Sequence, residues 1–364
     1  MFLPVPSVLS VVKMTTVSAE IRVHLRFNIA APDLSSPRAP RRARCTHMKT
    51  ILSALLALVA SLAGLRADEF LPGVKRILFL GDSITYSGEY VDEFETFLIT
   101  QFPAREFTVI NCGLPSETVS GLSEAGHAGG SFPRPDLDER LDRVLALVKP
   151  DLVFACYGMN CGIYLPFDEG RFAKFREGIE KLRAKVKAAG AQMIHLTPAV
   201  FDPVPLKGRA IPADKVKDGQ MFEGYDDVLT RYSEWLVSQK TNGWRAVDTH
   251  KAMRVALEAK RATDPAYKFA ADGVHANAEG HHVMAAALLA ELAPEQAAKF
   301  HGTDVALRPL LKAVRARGRI LADSYLTTAG HKRPGMAEGL PVADAVAKAA
   351  AMTETIHESV PKEQ

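Results

Sequence analysis

Short apolar runs alternate with longer segments of helical periodicity along most of the chain. The short runs are rich in Val, Ile, Leu and Phe, a composition typical of buried strands. Helices between such strands favour parallel pairing and cover both faces of the sheet. The pattern therefore predicts an α/β fold with about five parallel strands. The predicted strands are Lys75–Leu80, Phe107–Asn111, Leu152–Tyr157, Gln192–Leu196 and Arg245–Val247, and the predicted helices are Tyr90–Gln101, Leu137–Val148, Glu169–Ala189, Tyr225–Lys240 and Glu279–Leu292.

The pattern changes after residue 292. Two amphipathic helices are predicted at Ala306–Tyr325 and Val342–His357, joined by a loop that contains Gly330-His331-Lys332-Arg333-Pro334. Two such helices alone bury too little surface to form a stable unit. We therefore expect residues 297–364 to be a helical extension that packs on an α/β domain of residues 68–296.

The amino-terminal segment has the features of a targeting leader. Residues 51–65 carry no charge and follow a short basic start, as in a secretory signal peptide. The run is shorter than the roughly 20 apolar residues that cross a bilayer, and a signal anchor or a buried helix is the alternative. We predict a signal peptide at residues 48–67, cleaved near Ala67, and export to the periplasm or the exterior. We also expect translation to begin at Met48, with residues 1–47 a mis-assigned start.

Charge is distributed unevenly. The 364 residues include 45 Lys and Arg and 42 Asp and Glu, a net charge of +3. The leader of residues 1–67 holds nine of the basic and two of the acidic side chains, so residues 68–364 hold 36 and 40, a net charge of −4. An acidic body argues against a nucleic-acid partner. With 47% hydrophobic and 24% charged residues, the composition excludes disorder and a multi-span membrane protein, and we expect no stable membrane association after cleavage.

Cysteine and histidine spacing gives no sign of a metal or a cofactor. Three cysteines follow the leader: Cys112, Cys156 and Cys161. They lack the paired spacing of metal ligands, and those in apolar runs are expected to be buried free thiols. The loop and helix histidines His275, His281 and His282 also lack a recognised ligand spacing. We therefore expect neither a metal nor a cofactor.

Polar residues and glycines follow three of the predicted strands. Gly81-Asp82-Ser83-Ile84-Thr85 follows the first strand, Gly113 the second and Gly158-Met159-Asn160 the third. Ligands of parallel sheets bind outside the carboxyl ends of the strands. Asp272-Gly273-Val274-His275 precedes the last predicted helix and supplies an acid and an imidazole. A serine nucleophile needs a base, an acid that orients the base, and donors for an oxyanion, and the chain provides each of these at loop positions.

These blocks resemble those of the SGNH, or GDSL, hydrolase superfamily, which is named for the Ser, Gly, Asn and His of four separated motifs. The resemblance spans about residues 74–292, and the four blocks occur in the family's order. It implies a three-layer α/β/α, flavodoxin-like fold. A Gly-x-Ser-x-Gly motif is usual for the rival α/β-hydrolase fold, and residues 81–85 do not match it.

By that resemblance Ser83 is the nucleophile, His275 its general base and later general acid, and Asp272 the residue that orients the imidazole. The oxyanion hole would comprise the backbone amides of Ser83 and Gly113 and the side-chain amide of Asn160. The sequence also departs from the family pattern. Cys161 follows Asn160 where many members have Asp, Ser116 replaces a second Gly, and Ala276 follows His275 where Pro is frequent. None of these departures removes a reacting group.

A segment rich in Gly, Ser and Pro, residues 116–135, follows the second block and is long enough to overhang the serine. Candidate substrate-binding residues near the blocks are Asp82, Glu117, His127, Arg134 and Tyr157. A helix cap is the alternative for Asp82, a solvated loop for the loop residues and core packing for Tyr157. Outside the blocks, we expect His195 to be a satisfied core residue, and Asp248 and His250 to cap or pack.

Together these features favour an exported serine esterase of class EC 3.1.1.- that hydrolyses carboxylic esters, with O-deacetylation of a carbohydrate as the preferred reaction. The carbohydrate preference rests on predicted export and on the resemblance. A lysophospholipase or thioesterase of the same superfamily is the first alternative, and a non-catalytic secreted glycan-binding protein the second. The expected partner is a small-molecule or glycan ester substrate.

Overall fold

The sheet has the architecture that the alternating pattern predicts. A computed structural model describes residues 70–361, and the predicted leader lies outside them. Five strands pair in parallel in the order β2-β1-β3-β4-β7, the strand order of flavodoxin-like folds. Two short strands, β5 and β6, form a separate pair. The strands are β1 (Arg76–Gly81), β2 (Thr108–Asn111), β3 (Leu152–Cys156), β4 (Gln192–Leu196), β5 (Ala210–Ile211), β6 (Met221–Phe222) and β7 (Arg245–Val247).

Helices flank the sheet and continue beyond its last strand. The helix at Thr249–Arg261 is absent from the prediction, whereas the others correspond to predicted segments or are short. The helices are α1 (Ser83–Ser87), α2 (Glu89–Gln101), α3 (Leu137–Val148), α4 (Glu169–Ala188), α5 (Tyr225–Ser238), α6 (Thr249–Arg261), α7 (Ala278–Leu292), α8 (Pro294–Ala297), α9 (Arg308–Ala329), α10 (Val342–Ala351) and α11 (Thr353–Glu358).

Short polar side chains fix the starts of several helices. An Asp or Asn side chain accepts a backbone N–H from the first turn and so satisfies a donor that has no partner inside the helix. Within residues 70–361, the caps of α1, α3, α4, α6 and α7 are Asp82, Asp136, Asp168, Asp248 and Asn277. Two of these caps lie beside the predicted catalytic residues: Asp82 directly precedes Ser83, and Asn277 follows His275 by two residues. Local sequence therefore fixes where the helices next to these residues begin.

The centre of the sheet is densely packed beneath the carboxyl ends of its strands. Every residue of β3 is buried, as are five of the six residues of β1. The Phe79 ring stacks on Phe154 with centroids 4.7 Å apart and meets Phe94 edge-on at 5.5 Å. Cys112 and Cys156 are buried free thiols, as predicted, and Cys161 is a third. This packing makes β1 and β3 a rigid base for the residues that follow them.

The carboxyl-terminal helices pack on the α/β layers. Helix α9 lies against α2, α3 and β2, and its Leu321 and Tyr325 join the main hydrophobic core. Two ion pairs connect α9 to α2: Arg315 Nε lies 2.7 Å from Asp92 Oδ2, and Arg317 Nη2 lies 2.8 Å from Glu95 Oε1. Among the described residues, no helix is both long and apolar enough to span a membrane.

Candidate active site

The serine and asparagine blocks meet at the point where the strand order reverses. Strand β1 lies between β2 and β3, and Gly81 at the end of β1 pairs with Cys156 at the end of β3. Ser83 opens helix α1 two residues after this pair, and Asn160 lies in the turn four residues after it. The crevice at such a reversal is the usual ligand site of open parallel sheets.

Ser83, His275 and Asp272 form a continuous hydrogen-bonded chain. The Ser83 Oγ lies 2.8 Å from His275 Nε2, and His275 Nδ1 lies 2.6 Å from Asp272 Oδ2. The Asp272 carboxylate can only accept, so His275 Nδ1 carries the proton and donates it, and Nε2 is free to accept from the serine hydroxyl. These are the contacts that a nucleophile, its base and an orienting acid require.

The loop that carries the acid and the base is fixed by its own backbone. Asp272 Oδ1 accepts the N–H groups of Val274 and His275 at 3.0 and 2.8 Å. Partial burial acts to raise the pKa of Asp272, but hydrogen bonds from the His275 side chain and from both amides lower it below its ordinary value. Gly273 adopts a φ of 81°, and a Cβ there would lie 2.6 Å from the Asp202 carbonyl oxygen. Glycine is therefore required between the acid and the base.

The Asn160 carboxamide is held by three hydrogen bonds. Its Nδ2 donates to the Glu117 carbonyl at 3.2 Å. Its Oδ1 accepts from Arg134 Nη1 at 2.9 Å and from the Tyr164 hydroxyl at 3.1 Å. A guanidinium can only donate, so the atom facing Arg134 is the oxygen. The second N–H of Nδ2 remains available as a donor.

The Gly113 amide has a partner other than the predicted oxyanion. It donates to Asn111 Oδ1 at 2.9 Å, and the Asn111 amide in turn donates to the Thr85 carbonyl. A Cβ at position 113 would lie 2.5 Å from the backbone nitrogen of Tyr86. Close packing of the second block on helix α1 therefore accounts for this glycine.

Ser116, at the position of the family's second glycine, retains a glycine-like backbone with φ of 68°. Among the described residues, its backbone N–H has no hydrogen-bond acceptor. Ser116 directly precedes Glu117, whose carbonyl accepts from Asn160. The loop thus brings a free backbone donor close in sequence to the asparagine contact, at Ser116 rather than at Gly113.

Asp82 is buried beneath the serine. Its side chain is 3% exposed and accepts the Ile84 N–H at 3.0 Å as the cap of α1. Burial raises the pKa of Asp82 to about 6, against the opposing effect of that hydrogen bond. The structure therefore gives Asp82 a helix-capping position and no exposed surface for substrate.

Glu117 and Tyr157 also lie in the interior. Arg140 donates to the Glu117 carboxylate from Nε and Nη2 at 2.6 and 2.7 Å, and the Tyr157 hydroxyl donates to the same carboxylate at 2.6 Å. All three side chains are at most 1% exposed. This cluster connects the second block to α3 and the end of β3, and burial leaves the Glu117 and Tyr157 side chains no exposed surface for the substrate contacts predicted for them.

His127 and Arg134 belong to one cluster on the 116–135 loop. Arg134 pairs with Glu124 through Nε and Nη2 at 2.7 and 2.6 Å and reaches Asn160 with Nη1. His127 lies 3.4 Å from Glu124 and meets the Phe132 ring edge-on. Arg134 and Glu124 are buried, so Arg134 is brought to the asparagine rather than to an open substrate surface.

Two contributors to the site have no role predicted from the sequence. Asn111 and Glu124 orient other groups through hydrogen bonds, as does Tyr164, whose position four residues after Asn160 is a spacing signal. Asn111 lies within the second block, so its polar side chain at a strand end was an available signal. Glu124 has no periodic or spacing signal that connects it to Asn160. Asp248 caps helix α6 and the His250 ring is buried, as expected. His195 is also buried, but it is not the satisfied core residue that was expected, because neither ring nitrogen has a hydrogen-bond partner among the described residues.

The arrangement is suited to acyl transfer. It combines a hydroxyl bonded to an imidazole with a carboxylate bonded to the other imidazole nitrogen. N–H groups of Ser116 and Asn160 lie on the loops that follow the neighbouring strands. Within residues 70–361, no group of three or more His, Cys, Asp or Glu side chains is arranged to bind a metal ion. The chemistry available from the described side chains is nucleophilic attack assisted by general acid–base catalysis.

Two solved structures are similar to this chain at low sequence identity. A gut microbial diltiazem-metabolizing enzyme is 20% identical, with a TM-score of 0.47 over 61% of this chain and 48% of that enzyme's length. An acetylxylan esterase from Geobacillus stearothermophilus is 22% identical, with a TM-score of 0.42 over 64% of this chain and 97% of its own. No curated protein has a sequence that matches this chain.

The sequence itself matches a family. The model of the GDSL-like lipase/acylhydrolase family aligns with residues 79–283, which is more than half of the chain. That range contains the serine, glycine, asparagine and histidine blocks. The chain therefore belongs to the GDSL-like lipase/acylhydrolase family and is a serine ester hydrolase.

Proposed function

We propose that this protein is an exported esterase that removes acetyl groups from a carbohydrate through a Ser83, His275 and Asp272 triad. Ser83 Oγ attacks the ester carbonyl while His275 Nε2 takes its proton. The imidazolium that forms is stabilised by Asp272. His275 then returns the proton to the leaving sugar oxygen, and an acyl-enzyme remains on Ser83. Water attacks this acyl-enzyme with His275 again as base, which releases acetate and restores the serine.

The oxyanion of each tetrahedral intermediate would be received by N–H donors on three elements. Ser83 opens a helix, so its amide has no acceptor within that helix. The second N–H of the Asn160 amide is free, and Ser116 supplies a backbone N–H on the neighbouring loop. Such donors stabilise the transition state because charge develops on the oxygen they face. We propose Ser116 in place of Gly113 as the backbone donor of the second block.

The observation that carries the substrate preference is the exposure of the catalytic pair. The His275 and Asp272 side chains are 53% and 54% exposed. A long acyl chain binds by burying its methylene groups, each contributing about 0.8 kcal/mol, and an open polar edge offers little apolar surface for this. A small acyl group on a bulky, hydrated alcohol requires no such burial. The open edge therefore favours an acetylated glycan over a phospholipid or a long-chain thioester.

The test is hydrolysis of p-nitrophenyl esters from acetate to palmitate, together with acetylated xylan and acetylated pectin. We expect kcat/KM to be highest for acetate and to fall with chain length, and acetate to be released from at least one of the polysaccharides. Activity that increases with chain length would favour the lysophospholipase or thioesterase alternative. Absence of turnover, with no labelling of Ser83 by a fluorophosphonate, would favour a non-catalytic binding protein.

Export is a separate part of the proposal. It rests on the uncharged segment of residues 51–65 and the basic start before it. Amino-terminal sequencing of protein secreted by the native host should give a terminus near Asp68. A peptide from residues 1–47 in the mature protein would contradict both the predicted cleavage and the predicted start at Met48.

A further inference from the structure

A buried arginine contacts the oxygen of the Asn160 side-chain amide, one of the proposed oxyanion donors. Arg134 is 8% exposed, and its guanidinium is fully engaged: Nε and Nη2 bind Glu124, and Nη1 donates to Asn160 Oδ1. We propose that Arg134, locked by Glu124, is a positioning residue that orients and polarises the Asn160 carboxamide for oxyanion binding. The inference rests on the proposed function, since it assigns a role in the same reaction.

The contact with Arg134 fixes the orientation of the Asn160 amide. An amide side chain can rotate by 180° and exchange its oxygen and nitrogen at similar shape. With Arg134 Nη1 at 2.9 Å and the Tyr164 hydroxyl at 3.1 Å, the Asn160 oxygen faces two donors. Rotation would place the NH₂ group against a guanidinium, which cannot accept a hydrogen bond. The contact therefore keeps Nδ2 on the side of the Glu117 carbonyl, with its second N–H left as the proposed donor to the oxyanion.

The same contact polarises the Asn160 amide. A cationic donor on the amide oxygen draws electron density from the nitrogen, so the N–H becomes a stronger donor in a site of low dielectric. Burial acts to raise the pKa of Glu124, but the hydrogen bonds and charge of Arg134 lower it below its ordinary value. Glu124 therefore stays ionised and holds the guanidinium plane through two bonds. Arg134 cannot move away from Asn160 without breaking that buried pair.

A second buried pair in the same region provides a natural control. Arg140 binds Glu117 with the same two-nitrogen geometry, at 2.6 and 2.7 Å, and is also buried, at 1% exposed. Its remaining contact is with the Cys112 carbonyl rather than with the asparagine side chain. Replacing either arginine with lysine removes a bidentate contact, but of the two only Arg134 contacts the carboxamide itself.

The experiment measures the rate at which a fluorophosphonate labels Ser83, together with kcat and KM for p-nitrophenyl acetate. Both reactions place a developing negative oxygen in the oxyanion hole. The variants are R134K, E124Q and R140K, each also combined with N160A. Thermal unfolding establishes that each variant is folded, and E124Q carries the test if R134K does not fold.

We expect R134K to lower the labelling rate and kcat by about 10- to 100-fold, part of the loss seen when an oxyanion donor is removed, with KM changed less than threefold. R140K should lower the unfolding temperature but leave both rates within about threefold. In the N160A background, R134K should cause no further loss, because its effect passes through the missing amide.

Three results would overturn the inference. Equal rates for R134K, or for E124Q in its place, and the wild type would show that the contact does not matter for catalysis. An equal loss from R134K with and without Asn160 would show that Arg134 acts elsewhere. Failure of the wild type to react at Ser83 with either reagent would refute the proposed function itself, which separates that failure from the first two.

Discussion

The edge of the sheet with Ser83, His275 and Asp272, called here the catalytic edge for its proposed role, differs in its use of charged side chains from the interface between helices α9 and α2, called the helix interface. At the catalytic edge, the side chains of His275 and Asp272 are about half exposed. At the helix interface, Arg317 and Glu95 form an ion pair with 13% and 7% of their side chains exposed. Burial raises the pKa of Glu95 above its ordinary value, against the effect of Arg317, whereas the pKa of Asp272 is lowered.

The difference shows what each arrangement achieves. A buried ion pair contributes little net stability but makes the loss of either partner very unfavourable. It therefore fixes how one element docks on another. An exposed pair can exchange protons with substrate and water, as a general base must. We therefore expect changes at the catalytic edge to alter rates, and changes at the helix interface to alter stability.

The largest effect is expected for S83A. Removing the nucleophile should lower kcat by about 10⁴- to 10⁶-fold, with the unfolding temperature nearly unchanged, because Ser83 is partly exposed. The measurement is hydrolysis of p-nitrophenyl acetate at saturating substrate. The matched control is S87A, which removes a hydroxyl four residues later that lies 2.9 Å from His281 Nε2. Loss of activity in S87A equal to that in S83A would contradict the assignment of the nucleophile.

At the helix interface, R317A should destabilise the fold by about 3–5 kcal/mol, the usual result of leaving a buried charge without its partner. The free energy of unfolding in urea measures this, and kcat at a temperature where the variant is folded should be unchanged. K312A, at an exposed position on the same helix, should have an effect below about 0.5 kcal/mol. A large decrease in kcat for folded R317A would mean that the two regions are not separable.

Returning to the catalytic edge, N160A should lower kcat by about 10²- to 10³-fold, or about 2.7–4 kcal/mol of transition-state stabilisation. KM should change little, since the donor acts on charge that develops after binding. Steady-state kinetics with p-nitrophenyl acetate test this. An effect confined to KM would indicate that Asn160 binds substrate in the ground state rather than the oxyanion.

The smallest effect concerns pH and a residue that belongs to neither region. Burial lowers the pKa of His195 from 6.5 to about 3, and neither ring nitrogen has a hydrogen-bond partner among the described residues. As the pH falls below 6.5, the unfolded chain gains a proton that the folded protein does not, so stability is lost between pH 6.5 and about 3. At pH 5 the loss relative to pH 7 amounts to about 2 kcal/mol.

H195F should remove this dependence and keep the stacking on Trp244. Urea unfolding at pH 5 and pH 7 measures the difference. The exposed His357 provides the control, because H357F should leave the difference as it is in the wild type. An identical pH dependence in H195F and the wild type would contradict the assignment.

Much of the fold could be predicted from the sequence because its signals are local. The apolar runs of the five strands, the caps such as Asp136 and Asp168, and the serine and histidine blocks are each encoded within a few residues. Helix α6 was not predicted, although Asp248 before it was recognised as a possible cap. Its buried positions Thr249, His250, Met253 and Leu257 recur at helical spacing, so the periodic signal for this helix was present in the sequence.

The candidate site was predicted in part for the same reason. Side chains on the loops after β1 and β3 meet because parallel strands end at one edge, a rule that needs no coordinates. The roles of Glu117, Arg134 and Tyr157 depended instead on which partner each side chain finds. Nothing in the sequence distinguishes an arginine that binds substrate from one that binds a glutamate ten residues away.

The sequence alone determined the class of fold, the family and the residues that can react, because periodicity and short motifs act over a few neighbouring positions. The tertiary structure decided which polar groups are buried and which remain open. In the folded chain, Glu117 pairs with Arg140, Arg134 donates to Asn160, and the Gly113 amide donates to Asn111. Those choices depend on the path of the 116–135 loop, since a buried polar group must find whatever partner the folded chain brings within hydrogen-bond distance.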